Sequence, residues 1–133
     1  MAILISLATP VFTGTIGVHK LKADARQMAC VLKTAREKAI MSSEAQSVIF
    51  YTESTKYKFA GEATYWLNSG ISYAGTSTFS GDTGRKKCTF SPSGAPDSGG
   101  TVVLKNRSND KLYIIVNPVA GRVRVSERPP ANW

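Results

Sequence analysis

Between residues 19 and 42 the chain has neither Gly nor Pro, and Leu21, Ala25, Met28, Leu32, Ala35 and Ala39 recur at steps of four and three. At 3.6 residues per turn these positions fall on one narrow apolar stripe, with Lys22, Arg26, Lys33 and Glu37 away from it. The pattern predicts an amphipathic helix over about 19–42, its start set by the breakers Pro10, Gly14 and Gly17. The repeat is too short for a coiled coil, so the stripe is expected to pack on a sheet.

Beyond Ser43 the pattern changes to short β-branched and aromatic runs punctuated by Gly, Pro, Asn, Asp and Ser. Strands are expected at residues 47–51, 56–60, 70–73, 87–90, 101–104, 112–116 and 122–125. Tyr57 and Phe59 alternate with Lys56 and Lys58, and Val123 and Val125 with Arg122 and Arg124, which is the period of strands with one wet face. Residues 90–100, Phe-Ser-Pro-Ser-Gly-Ala-Pro-Asp-Ser-Gly-Gly, read as a loop inside one domain, because too short a segment follows to build a second core. The fold class is therefore α+β, an N-terminal amphipathic helix packed on antiparallel β-sheet.

The first nine residues are uncharged and largely apolar, short of the ~20 needed to span a bilayer. No basic residue precedes Lys20 apart from the neutral His19, so the charged start of a secretory signal is missing. Two readings stand: the tail of a longer membrane helix, or a short helix buried in the domain's own core. The first divides the chain into a helix remnant at residues 1–18 and a globular domain at 19–133.

A chain of 133 residues with 42% hydrophobic content suits one domain. Its 17 Lys and Arg against 9 acidic residues leave a formal charge of +8, which favours polyanions and anionic surfaces. The same excess also serves solubility, membrane proximity or protein docking. Cys30 and Cys88 are too few for a disulfide framework and lack CxxC spacing, and a single histidine, His19, makes no metal cluster or catalytic triad. Glu37, Glu44, Glu53 and Asp82 are scattered, and no GxxxxGK loop or GxSxG elbow occurs. No enzyme activity, metal or cofactor is expected.

The apolar start ending at a proline, the helix segment Leu-Lys-Thr-Ala-Arg-Glu-Lys-Ala-Ile (residues 32–40) and the all-β remainder resemble the GspH/FimT group of type IV minor pilins and type II secretion pseudopilins. Ala35, Arg36, Ala39 and Ile40 fit that group's helix motif. Trp66, Phe-Ser-Pro-Ser-Gly (90–94), the strand from Gly100 to Leu104 and Gly-Arg-Val-Arg-Val (121–125) follow in the group's order. The resemblance implies a subunit processed by a prepilin peptidase, methylated, anchored in the bacterial inner membrane by a single helix, and assembled with other pilins or pseudopilins into a periplasmic or cell-surface filament. The group's cleavage motif is absent, so the sequence reads as a truncated piece or a chain with a misassigned start. Ala2–Ala8 then correspond to the later part of the membrane helix and Pro10 to its kink. Asn106-Arg-Ser108 matches a glycosylation acceptor, a chance hit in a bacterial protein.

Members of the group implicated in DNA uptake carry Gly-Arg-x-Arg where this chain has Gly121-Arg122-Val123-Arg124. On a strand, Arg122 and Arg124 stand about 6.6 Å apart on one face and present two guanidinium groups able to hold successive phosphates. Arg128, and the run Arg85, Lys86 and Lys87, would extend the patch if the fold brings them together. Contacts to double-stranded DNA are then expected at phosphates, salt-dependent and without sequence specificity. The plainer reading makes Arg122 and Arg124 the solvated face of an edge strand and Gly121 a left-handed turn residue. The alternative function is a secretion pseudopilin that binds no DNA and acts through protein contacts alone. Export into oxidising surroundings favours a Cys30–Cys88 disulfide, although Cys30 lies about 180° from the stripe. Trp133 either stacks on a base or packs back on the domain.

Overall fold

The computed structural model describes residues 2–75, 78–82, 84–97 and 99–128, with side chains described from Gly17 onward within the helix. Trp133 and the preceding Pro129–Asn132 lie outside the described residues, so the stacking and packing readings of Trp133 find no test here.

A single long helix, α1 (Ala2–Ser42), is followed by nine strands: β1 (Gln46–Tyr51), β2 (Lys56–Phe59), β3 (Ala63–Trp66), β4 (Ser72–Tyr73), β5 (Ser80–Asp82), β6 (Arg85–Phe90), β7 (Gly100–Lys105), β8 (Lys111–Val116) and β9 (Val123–Ser126). The backbone of α1 runs through Pro10, Gly14 and Gly17, so these residues do not set its start as their propensities suggest. Among the described residues no helix is long and apolar enough to cross a membrane.

The strands form two antiparallel sheets, a five-stranded one in the order β3-β2-β1-β6-β5 and a four-stranded one in the order β4-β7-β8-β9. Helix α1 lies against β1 and β6 of the first sheet and β7, β8 and β9 of the second. The predicted stripe is the face it buries: Leu21 is 2% exposed, and Ala25, Met28, Leu32, Ala35 and Ala39 are fully buried. Three alanines on that face let the helix backbone approach the sheets closely, while Ala29 and Val31 widen the stripe.

Across the helix stand Val48 and Phe50 of β1, paired in register with Phe59 and Tyr57 of β2 and flanked by Cys88 of β6. Val102 and Leu104 of β7 face Ile114 and Leu112 of β8 to complete the core. Phe79 joins the two halves by stacking on Phe50, with ring centroids 5.3 Å apart. Seven of the strands lie where the sequence places them within two residues, counted from their printed bounds. The two unforeseen ones, β3 and β5, are the edges of the first sheet; β5 is a Ser-Gly-Asp run with no apolar residue to mark it, and β3 is mostly exposed.

One buried charge sits on the helix among these apolar neighbours. Asp24, 6% exposed, accepts hydrogen bonds from the Asn68 backbone N–H at 2.7 Å and from Asn68 Nδ2 at 2.8 Å, tying the β3–β4 loop to α1. Burial raises its carboxyl above the ordinary 3.8; the Asn68 bonds and the Lys20 charge act in the opposite sense without cancelling that effect.

Candidate functional site

The β8–β9 connection is shaped by Asn117. Its side-chain oxygen accepts from the N–H groups of Val119 and Ala120 at 2.8 and 2.9 Å, and its backbone carbonyl accepts from Gly121 N–H at 3.0 Å. Gly121 takes φ 73°, and a Cβ on it would come within 2.2 Å of the Gly94 carbonyl oxygen. Arg36 of α1 donates from Nε to that same carbonyl at 3.1 Å. A Cβ on Gly94, φ 89°, would press on Ile40 Cδ1 at 2.9 Å. Three segments distant in sequence, the helix around Arg36 and Ile40, the loop at Gly94 and the turn at Gly121, thus lock together, with backbone filling the space where a Gly121 side chain would stand and the tip of Ile40 filling that of Gly94.

Beside this junction a groove of about 680 Å³ opens between α1 and the end of the second sheet. The helix contributes Lys33, Arg36 and Glu37, and the opposite wall is Asn117 with Gly121, Arg122, Val123 and Arg124. In β9, Val123 pairs with Val116 and packs on the core, whereas Arg124 pairs with Ile115 on the alternate face, and Arg122 precedes the strand on that same alternation. Both arginines are exposed, and because β9 is a sheet edge no further strand screens them. The groove therefore has an apolar floor at Val123 and a rim of positive charge, with Glu37 as the single acid among the described residues that line it. Such a rim suits a row of anionic oxygens.

The other basic residues singled out in the sequence lie elsewhere. Arg128 is exposed, its backbone N–H and carbonyl engaged by Ser126 Oγ, and it does not line the groove. Arg85, Lys86 and Lys87 belong to β6 in the first sheet, so the pairing pattern keeps them out of the groove that Arg122 and Arg124 line. Lys86 donates from Nζ to the Gly81 carbonyl at 3.0 Å. Arg85 joins a ladder on the sheet face turned away from the helix: its guanidinium lies 5.9 Å from the Tyr51 ring, and Lys56 Nζ sits 5.0 Å from Tyr51 and 5.3 Å from Trp66.

The helix half of the groove escaped the sequence reading. Lys33 was legible only as a residue off the apolar stripe and Arg36 only as part of a motif; which strand faces them depends on how the second sheet closes on α1. The seven-residue spacing of Arg26 and Lys33 was the one available signal.

The proposed Cys30–Cys88 bridge is not formed. Both thiols are free, Cys30 exposed on the outer side of α1 and Cys88 fully buried in β6 beneath it. The helical phase that turns Cys30 outward is the obstacle. Burial, followed by the charge of Asp97, pushes the Cys88 thiol up to about 12. Among the described residues no three His, Cys, Asp or Glu side chains group as a metal site.

The family model for the type II transport protein GspH matches residues 24–121, which takes in α1 from Asp24 onward, strands β1 to β8 and Gly121, and ends before Arg122 and β9. Two crystal structures of the type IV minor pilin FimU of Pseudomonas aeruginosa share the fold, each with a TM-score of 0.61. One is 13% identical and aligns over 80% of this chain and 92% of its own; the other is 12% identical over 84% and 90%. No curated protein matches the chain.

Proposed function

This chain belongs to the GspH family and is a minor pilin or pseudopilin, and we propose that within its filament it holds DNA along the α1–β9 groove. The carrying observation is that Arg122 and Arg124 do not merely decorate an edge strand: they form one wall of a groove whose other wall brings Lys33 and Arg36 from the helix. Four cations against one acid, at a rim open to solvent, match a phosphate backbone better than they match a neutral ligand. Among the described residues that line the groove none is aromatic, and its walls offer charged side chains rather than base-reading ones, so the contacts are to phosphates and carry no sequence preference. On this reading the protein works by binding and assembly rather than catalysis. It is placed first in the inner membrane and then in the filament, with other pilins or pseudopilins as neighbours.

Titrating a labelled duplex with the chain at low and moderate salt tests this. Wild type is expected to bind tightly at low salt and weakly at moderate salt, and Arg122→Ala/Arg124→Ala to lose about tenfold or more at low salt. Equal binding by the two proteins defeats the assignment and leaves a subunit that acts through protein contacts alone.

A further inference from the structure

The groove does not end at Lys33. Two further hollows follow the seam between α1 and the second sheet: one lined by Lys22, Arg26, Val125, Ser126 and Glu127, the next beginning at Lys22 and reaching Asp110 and Lys111 at the start of β8. Helix and strand run past each other in opposite directions here, since residues 33–37 face 121–124 and residues 22–26 face 125–127. On the helix, Lys22, Arg26, Lys33 and Arg36 recur at steps of four, seven and three, which is one face of a 3.6-residue period. That face is distinct from the buried stripe, and it is the one turned along β9.

We infer that this basic face of α1 is the second rail of the DNA site, so that the duplex backbone lies along the whole seam from Arg36 to Lys22 rather than at the Arg122–Arg124 end alone; this rests on the reading of the groove given above. From Lys22 to Arg36 the helix rises about 21 Å, the length over which one strand of a duplex presents about six phosphates at 3.4 Å each. Among the described residues that line these hollows the acids are Glu37 at one end and, at the other, Asp110 and Glu127, the last sharing a hollow with Lys22 and Arg26. Along the seam cations thus outnumber acids, and none of these acids falls between Arg26 and Arg36 on the helix. Arg36 has its Nε committed to Gly94 and serves to position the turn. Lys22, Arg26, Lys33, Arg122 and Arg124 line the seam along which the phosphates would lie, three of them from the helix.

The number of phosphates met is readable from salt. Each contact contributes about 0.9 to the slope of log affinity against log salt, so five contacts give a slope of about −4.5 and the groove end alone about −2.7. Duplex binding by the chain is followed by fluorescence anisotropy from about 50 to about 200 mM salt. Lys22→Ala/Arg26→Ala is expected to lower the steepness by about 1.8, which makes the affinity lost over that fourfold range about tenfold smaller than in wild type. Lys56→Ala/Lys58→Ala removes the same charge from the far sheet and is expected to leave the slope unchanged. Unaltered thermal midpoints in all variants exclude unfolding as the cause.

If Arg122→Ala/Arg124→Ala weakens binding while Lys22→Ala/Arg26→Ala keeps the wild-type slope, the extended track is overturned and the groove reading survives. If neither double variant differs from wild type, the groove reading itself fails. An equal fall in slope for Lys56→Ala/Lys58→Ala reduces the effect to net charge and overturns the track as well.

Discussion

Gly121 illustrates how one residue position carries both backbone and packing constraints. Gly61 shares its positive φ, at 80° against 73°, yet a Cβ on Gly61 meets nothing within 4 Å, whereas one on Gly121 runs into the Gly94 carbonyl at 2.2 Å. Both substitutions to Ala bear the cost of a left-handed conformation, about 1–3 kcal/mol. Gly121→Ala must in addition displace the loop that Arg36 holds. Chemical denaturation is expected to show Gly121→Ala destabilised by clearly more than Gly61→Ala; equal losses would mean that the Arg36–Gly94–Gly121 junction is loose. Arg36 thereby acquires a reason for its place in the helix that charge alone does not supply: its Nε closes the contact that shapes the groove.

At the scale of elements, the tie between α1 and the β3–β4 loop depends on protonation. The carboxyl of Asp24 is raised above 3.8 chiefly by burial, so the folded chain holds its proton more firmly than the unfolded chain does. A raised value means a contribution to stability that is complete below 3.8 and is lost as pH rises through the folded value. Asp24→Asn removes that titration while leaving the other carboxylates in place. The difference in thermal midpoint, wild type minus Asp24→Asn, is expected to fall as pH rises from about 3.8 and then level off. A difference that stays constant across the acid range would show that Asp24 does not titrate differently in the fold. The helix stripe was legible in the sequence, and Asp24 within it was not. Its acceptable partner, Asn68, is a loop residue more than forty positions away, and no periodicity points to such a pair.

At the scale of the whole molecule, one core serves both sheets. Phe50 and Phe79 stack across their junction, and residues of α1 reach into both halves. Cys88 lies at full burial within that core, with its thiol pushed up to about 12, so it reports on global opening, while Cys30 reports on the surface. A thiol reagent at mildly alkaline pH is expected to label one cysteine of the native protein at once and the second only at the rate of unfolding. Two fast-reacting thiols would show that the first sheet opens independently of the second, and none would restore the disulfide.

What the sequence determined by itself was whatever depends on local spacing. The apolar stripe of α1, seven strands and the loop at residues 90–100 follow from periods of 3.6 and 2 and from the places where Gly and Pro interrupt them, while the likeness to the minor pilins rests on particular residues in order along the chain. Tertiary structure alone decided which cations meet. Arg122 and Arg124 face Lys33 and Arg36 because β9 pairs with β8 at the edge of the sheet that closes on the helix, and Arg85, Lys86 and Lys87 stand apart because β6 pairs with β1 in the other sheet. The same limit explains Cys30 and Cys88, whose separation in space follows from helix phase combined with sheet order. Strand order is set by burying apolar faces over long separations, and a charged residue is carried to its final neighbours by that process without contributing a pattern of its own.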